Sequence, residues 1–178
     1  SLEKLKVSTV DLMQVHNLVD WETHLETLRD WKDQGRIRYL GVTHYTRSAF
    51  DDLAHVIRNE PLDFVQLPYS LGFRDAENRL LPLAQERDVG VIVNRPFEAG
   101  RLFRKVGDES LPEWSRQFGV ETWAQFFLKY LLGHPAVTCV IPGTNNPNHM
   151  LENARAGTGS FPGKTLRKKM VEFWESES

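Results

Sequence analysis

From about residue 10 onward the chain alternates short apolar runs with amphipathic stretches. The apolar runs are VDLMQVH (10–16), RYLGVT (38–43), DFVQLP (63–68), GVIVN (90–94) and VTCVIP (137–142). They are rich in Val, Leu and Ile without clean in/out alternation, which predicts strands covered on both faces. Between them lie helical patterns. Trp21, Leu25, Leu28 and Lys32 recur at three- and four-residue steps, with Asp20 as the expected cap and Gly35 as the terminator. Ser48 with Asp51 reads as a capping box ahead of Phe50, Leu53, Val56 and Ile57. Leu80, Leu83 and Ala84 mark a third helix, which requires Pro82 to sit in its first turn. Trp123, Phe126, Phe127, Tyr130 and Leu131 mark a fourth, and Pro147 opens a fifth after Asn146. GTGSFPG (157–163) reads as a linker to a short last helix carrying Leu166, Met170 and Phe173.

The apolar runs start at residues 10, 38, 63, 90 and 137, giving steps of 28, 25, 27 and 47. The first three steps match a βα unit of about 30 residues, and the fourth a unit with an insertion of about 20. That insertion falls between residues 95 and 119. Parallel strands joined by helices build either an open doubly wound sheet or a closed barrel. A closed (β/α)8 barrel takes roughly 200–250 residues, so as a barrel this chain is partial.

Composition narrows the function classes. The 178 residues hold 22 Lys+Arg against 24 Asp+Glu and are 40% apolar, which describes a single globular domain. The net charge of −2 argues against nucleic-acid binding driven by phosphate neutralisation. No apolar run approaches the roughly 18 residues that a membrane-spanning helix needs. Cys139 is the lone cysteine, so no internal disulfide forms, and a reducing, cytoplasmic setting fits. The chain opens SLEKLKVSTV, with neither Met nor an apolar leader. The G-x-G-x-x-G fingerprint, the Walker loop, H-E-x-x-H and the G-x-S-x-G elbow are all absent from it. The histidines at 16, 24, 44, 55, 134 and 149 and Cys139 have no metal-ligand spacing.

Polar residues gather where the predicted strands end. His16 ends the first, Thr43 and His44 the second, Gln66 lies at the third, Asn94 and Arg95 end the fourth, and Gly143 and Thr144 follow the fifth. Barrel enzymes place their chemistry at this edge, although strands also turn polar simply where they meet solvent. PGTNNPNHMLEN (142–153) offers Gly and Asn-Pro opening a helix, which suits an anion such as phosphate and equally an ordinary turn and cap.

The stretches STVDLMQVHN, WKDQGRIRYLGVTHY, DFVQLPYSL, VGVIVNRPFEAGRLF and VIPGTNNPNHMLENARAG, in this order, resemble the aldo/keto reductase family. The resemblance implies an α/β fold, a partial (β/α)8 TIM barrel running from the fourth strand to the last helix, with the family's first three βα units missing. It implies an NADPH- or NADH-dependent oxidoreductase that reduces small-molecule aldehydes or ketones. His16 falls on the catalytic His that orients the carbonyl. Thr43, His44 and Gln66 fall where the nicotinamide carboxamide is held; the usual first pair is Ser-Asn, so His44 is a departure. Asn94 stands where many members stack a Tyr on the nicotinamide ring, which an Asn cannot reproduce. Arg95, Pro96, Phe97 and on to Gly100 match the loop around the pyrophosphate, and residues 101–119 the variable substrate loop. Gly143, Thr144, Asn145 and His149 fall at the adenosine 2′-phosphate, commonly held by Lys or Arg, and Glu152 and Asn153 at the adenine. The family's general acid is a Tyr supported by Lys and Asp from the missing part, and none of Tyr39, Tyr45, Tyr69 and Tyr130 matches its position. Other readings the resemblance leaves open are a non-catalytic binding module, like the potassium-channel β-subunits of the family, and self-association through open strand edges.

Overall fold

The computed structural model describes residues 2–176. Strands β1 (Val10–His16), β2 (Ile37–Thr43), β3 (Phe64–Pro68), β4 (Gly90–Asn94) and β5 (Val137–Val140) form one parallel sheet in chain order. The helices are α1 (Leu2–Leu5), α2 (Trp21–Asp33), α3 (Phe50–Asn59), α4 (Leu80–Glu86), α5 (Arg101–Val106), α6 (Trp123–Leu132), α7 (Pro147–Arg155) and α8 (Lys164–Ser176). A doubly wound sheet reverses its strand order at a switch point, and this one does not. Right-handed crossovers that always advance in one direction put the helices on one face, which makes the sheet a sector of a barrel.

The two faces differ sharply. Val15, Val42, Val65 and Val91 are register partners across four strands, and all are at most 4% exposed. The neighbouring row, Gln14, Gly41, Phe64 and Gly90, lies on the other face, where Gln14 and Phe64 are only half-buried. The strands are therefore covered on one face, not on both as their composition suggested. Leu12, Tyr39, Phe64 and Ile92 give the open face enough apolar character to hide the alternation in the sequence. Phe64 meets Tyr39 edge-on with ring centroids 5.6 Å apart. Two glycines make room for it: a Cβ on Gly41 would lie 2.3 Å from the Phe64 carbonyl oxygen, and one on Gly90 would lie 2.6 Å from its ring.

Two expected caps are not made. Asp20 precedes α2 in a left-handed conformation, and its carboxylate accepts from the Thr23 hydroxyl at 3.0 Å instead of capping a backbone N–H. Ser48 lies within a 3₁₀ turn (Arg47–Ala49) ahead of α3, and its hydroxyl pairs with Thr46. Gly35 closes α2 with φ of +70°, Pro82 sits in the first turn of α4, and Thr122 caps α6 by accepting from the Gln125 N–H. The insertion holds α5 between two 3₁₀ turns, so part of the expected loop is helical. The last helix is longer than expected, at 13 residues, and buries Met170 and Trp174.

A buried polar hub binds α6 and α8 to the segment after β3. Glu77 Oε1 accepts from the Tyr69 hydroxyl, from Tyr130 at 2.6 Å and from Arg167 Nη2 at 2.7 Å. Arg167 also donates to the Tyr69 oxygen at 2.6 Å and to the Tyr130 carbonyl at 3.0 Å. Burial pushes both phenols above the usual tyrosine range. Burial alone would raise Glu77, but the Tyr130 and Tyr69 donors and the Arg167 charge outweigh it and hold the carboxyl below its usual value. Removing Arg167 as Ala should cost about 2–4 kcal/mol, since it leaves a charged acceptor partly unpaired. A carboxyl held low in the fold stabilises above its unfolded value and loses that contribution as pH falls through its folded value. The destabilisation caused by Glu77→Gln should therefore shrink below about pH 4. Urea denaturation of both chains across that range measures this, and a pH-independent difference would contradict it.

Candidate active site

Parallel order brings every strand's C-terminal end to one rim. His16, Thr43 and Gln66 are register partners there, His16 exposed, Thr43 buried and Gln66 half-buried. The His44 N–H donates to the Gln66 carbonyl at 3.1 Å, and Asn94 Nδ2 donates to the His44 carbonyl at 3.0 Å. Asn94 thereby ties the ends of β2 and β4 together across β3. Its other amide atom, Oδ1, is buried and accepts no hydrogen bond among the described residues. His44 Nδ1 accepts from the backbone N–H groups of Tyr45 and Thr46 at 3.0 and 3.2 Å, which leaves a proton on Nε2 for donation. The His44 ring stacks on Tyr45, and the Arg95 guanidinium lies 4.5 Å from the Tyr45 ring centre.

Beyond β4 the backbone is strained. Arg95, Glu98 and Ala99 have φ of +52°, +50° and +54°, and only Gly100, at +84°, is suited to that region. Left-handed geometry costs a residue with a Cβ about 1–2 kcal/mol. This segment forms one wall of a cleft of about 610 Å³, through Arg95, Pro96, Phe97, Ala99, Gly100 and Phe103. Ala124 of α6 and Ile141 after β5 contribute apolar surface. The opposite wall is Gly143, Thr144, His149, Glu152 and Asn153, from α7 and the turn before it. Asn146 caps α7 by accepting from the Asn148 N–H at 2.9 Å, and Thr144 Oγ1 accepts from the Asn146 N–H at 3.1 Å.

The aldo/keto reductase family model matches residues 1–167. The chain belongs to the aldo/keto reductase family. Aldo-keto reductase YhdN of Bacillus subtilis is 31% identical over 112 residues, which are 61% of this chain and 33% of that protein. Among solved structures, the holo form of aldo-keto reductase AKR11C1 from Bacillus halodurans superposes with a TM-score of 0.73 at 21% identity, covering 97% of this chain and 63% of that one. An aldo/keto reductase from Klebsiella pneumoniae in complex with NADP and acetate superposes with a TM-score of 0.77 at 22% identity, covering 97% and 62%. These likenesses carry the barrel fold, and the chain spans less than two thirds of each of these relatives.

Within the chain the residues named from the sequence fall into four places. Arg95, Pro96, Phe97, Gly143, Thr144, His149, Glu152 and Asn153 line the cleft together, although about fifty residues separate their two segments. Thr43, His44, Gln66 and Asn94 form the hydrogen-bonded rim beside it. Asn145 is exposed and does not line the cleft. His16 ends the edge strand and lines a separate groove of about 430 Å³ with Val19, His24 and Trp31. Sequence reasoning missed the apolar walls, Ala124 and Ile141, because such residues read as core. It also missed the Tyr45 stack, since no spacing pattern marks a loop aromatic.

The capping geometry of α7 is directly testable. Asn146→Ala removes the acceptor for the Asn148 N–H and should cost about 1 kcal/mol. Amide exchange of residues 148–150 should quicken in that variant, and unchanged protection would show that the cap contributes nothing.

Proposed function

We propose that this chain holds NADPH or NADH in the cleft between residues 95–103 and 141–153, as the cofactor-holding part of a carbonyl-reducing aldo/keto reductase. One observation carries this reading: segments about fifty residues apart, each matched to the cofactor by family resemblance, line a single cleft. The chemistry of the lining agrees. Phe97, Phe103 and Ile141 offer apolar surface to a base, and Arg95, His149 and the Thr144 hydroxyl offer charge or hydrogen-bond donors to phosphate. At the rim, His44 Nε2–H is a donor suited to an amide carbonyl, and the unpaired Asn94 Oδ1 is an acceptor. When bound, the nicotinamide supplies a hydride to a carbonyl carbon.

His16 serves as the residue that orients the carbonyl oxygen by hydrogen bonding. The proton donor is expected outside this chain, because the family's Tyr, Lys and Asp belong to the three βα units that precede its fourth strand. NADPH should therefore bind to the chain, while reduction of a reactive aromatic aldehyde stays at background, general acid catalysis being worth about 10²–10⁴-fold. His16→Ala should leave the NADPH dissociation constant unchanged. Fluorescence titration and the nicotinamide absorbance measure the two quantities. Turnover that survives purification and is lost in His16→Ala would mean that the acid is already present.

The 2′-phosphate end concerns selectivity. Thr144, Asn145 and His149 provide no fixed cation, so NADPH should be favoured over NADH less than in members with Lys or Arg there. Asn145→Arg should raise the preference for NADPH about tenfold, one charge-assisted bond being worth about 1.5 kcal/mol. Paired dissociation constants for the two cofactors test it, and an unmoved ratio would remove position 145 from the phosphate.

A further inference from the structure

We propose that Glu98 is a positioning residue, whose carboxylate holds the left-handed turn 98–100 in the shape the cleft needs for the charged phosphates of a dinucleotide. The inference rests on the nucleotide reading of that cleft.

The turn is strained despite its own backbone hydrogen bonds, from the Glu98 N–H to the Arg95 carbonyl at 3.0 Å and from the Gly100 N–H to the Phe97 carbonyl at 2.9 Å. Glu98, Ala99 and Gly100 are consecutive left-handed residues, and two of them carry a Cβ. Such strain persists only where the surroundings over-determine it. The Glu98 side chain is only 14% exposed, and both its oxygens are engaged. Oε1 accepts from the hydroxyl of Ser70, itself 1% exposed, and Oε2 accepts from Arg101 Nε at 2.6 Å. The carboxylate is thus fastened between the segment after β3 and the first residue of α5. Gly72 completes the seat: a Cβ there would lie 2.5 Å from Glu98 Oε1 and 3.0 Å from the Leu102 side chain.

The same arrangement explains how a carboxylate is tolerated beside a site for phosphates. The exposed Arg101 compensates its charge, Ser70 draws one oxygen into the protein and Arg101 holds the other, so that Ala99 and Gly100 line the cleft while the Glu98 side chain does not. Glu98 consequently acts through the backbone that follows it and makes no contribution as a ligand contact.

The test compares Glu98→Ala, Glu98→Gln and Gly72→Ala with the natural chain, using NADPH as the probe and amide exchange of residues 95–103 without ligand. Glu98→Ala should raise the NADPH dissociation constant about tenfold, a charge-assisted bond's worth. Glu98→Gln keeps an acceptor for Ser70 and should recover part of that loss, to about threefold. Gly72→Ala deletes no bond yet presses on the carboxylate, so it should weaken NADPH in the same direction. Exchange at 98–102 should quicken in all three while the global unfolding midpoint stays nearly constant, a combination that general destabilisation does not produce. If the natural chain binds NADPH and all three variants match it within about twofold, the proposal is overturned, that factor being less than about a third of one charge-assisted hydrogen bond. A natural chain that binds no NADPH overturns the nucleotide reading and the ligand half of this proposal. Unmoved exchange at 98–102 in Glu98→Ala overturns the anchoring half independently.

Discussion

Everything functional in this chain depends on parallel pairing in unbroken chain order. Each parallel neighbour demands a crossover, and crossovers of one hand that never reverse direction carry every helix to the same face. One face of the sheet is then apolar and closed, as the row Val15, Val42, Val65 and Val91 illustrates, while the other remains available for polar groups. The same order sends all strand ends to one rim, so residues far apart in sequence become neighbours without any helix or loop having to aim them. His16, Thr43 and Gln66 meet there because of register alone.

Register delivers the rim, but the cleft requires more. Its walls are loops and one side of α7, and β5, which leads to the far wall, is short, half-buried and offset against β4 between Val91 and Ile92. Side-chain ties replace the missing sheet contacts. Asn94 joins the ends of β2 and β4, and Arg95 reaches back onto Tyr45. On the outer side the fully buried Lys129 of α6 donates to the Thr158 and Ser160 carbonyls at 2.7 and 2.9 Å, which fixes the segment leaving α7. The Glu77 hub does the equivalent for α8. Polar groups buried with their partners specify one arrangement where apolar contact alone would permit several, at the cost of their desolvation.

The strand positions were legible because each is a short Val- and Leu-rich run between turn signals, and β1 and β4 coincide with the apolar runs end to end. Helix starts were less so. Asp20 and Ser48 are residue types that cap, yet whether they do so depends on the backbone of the preceding turn, which spacing does not encode. Barrel faces were illegible for a related reason, since an open face that carries Leu12, Tyr39, Phe64 and Ile92 puts apolar residues between those that lie under the helices. Strand ends alone marked His16, Thr43, His44, Gln66, Asn94 and Arg95 as candidates, and their expected roles came only from family resemblance. Nothing in the local pattern distinguishes Asn94 from any polar strand end, and Ser70, Glu98 and Arg101 come together only in three dimensions.

His44 and Asn94, the two positions where the resemblance implies a departure, are coupled to one another. An aromatic residue at position 94 would fill the rim by surface contact, whereas Asn94 spends one amide atom on the His44 carbonyl and leaves the other buried and unpaired. His44, in turn, spends Nδ1 on the two backbone N–H groups that follow it, so its ring is locked before any ligand arrives. Substituting position 44 alone would leave the Asn94 amide bond intact, because that bond goes to backbone. Substituting Asn94 alone would free the carbonyl that fixes the path of the chain into His44, Tyr45 and Thr46. The dependence therefore runs from β4 toward β2. The residue that looks like the loss of a stacking ring acts as the brace on which the second departure stands.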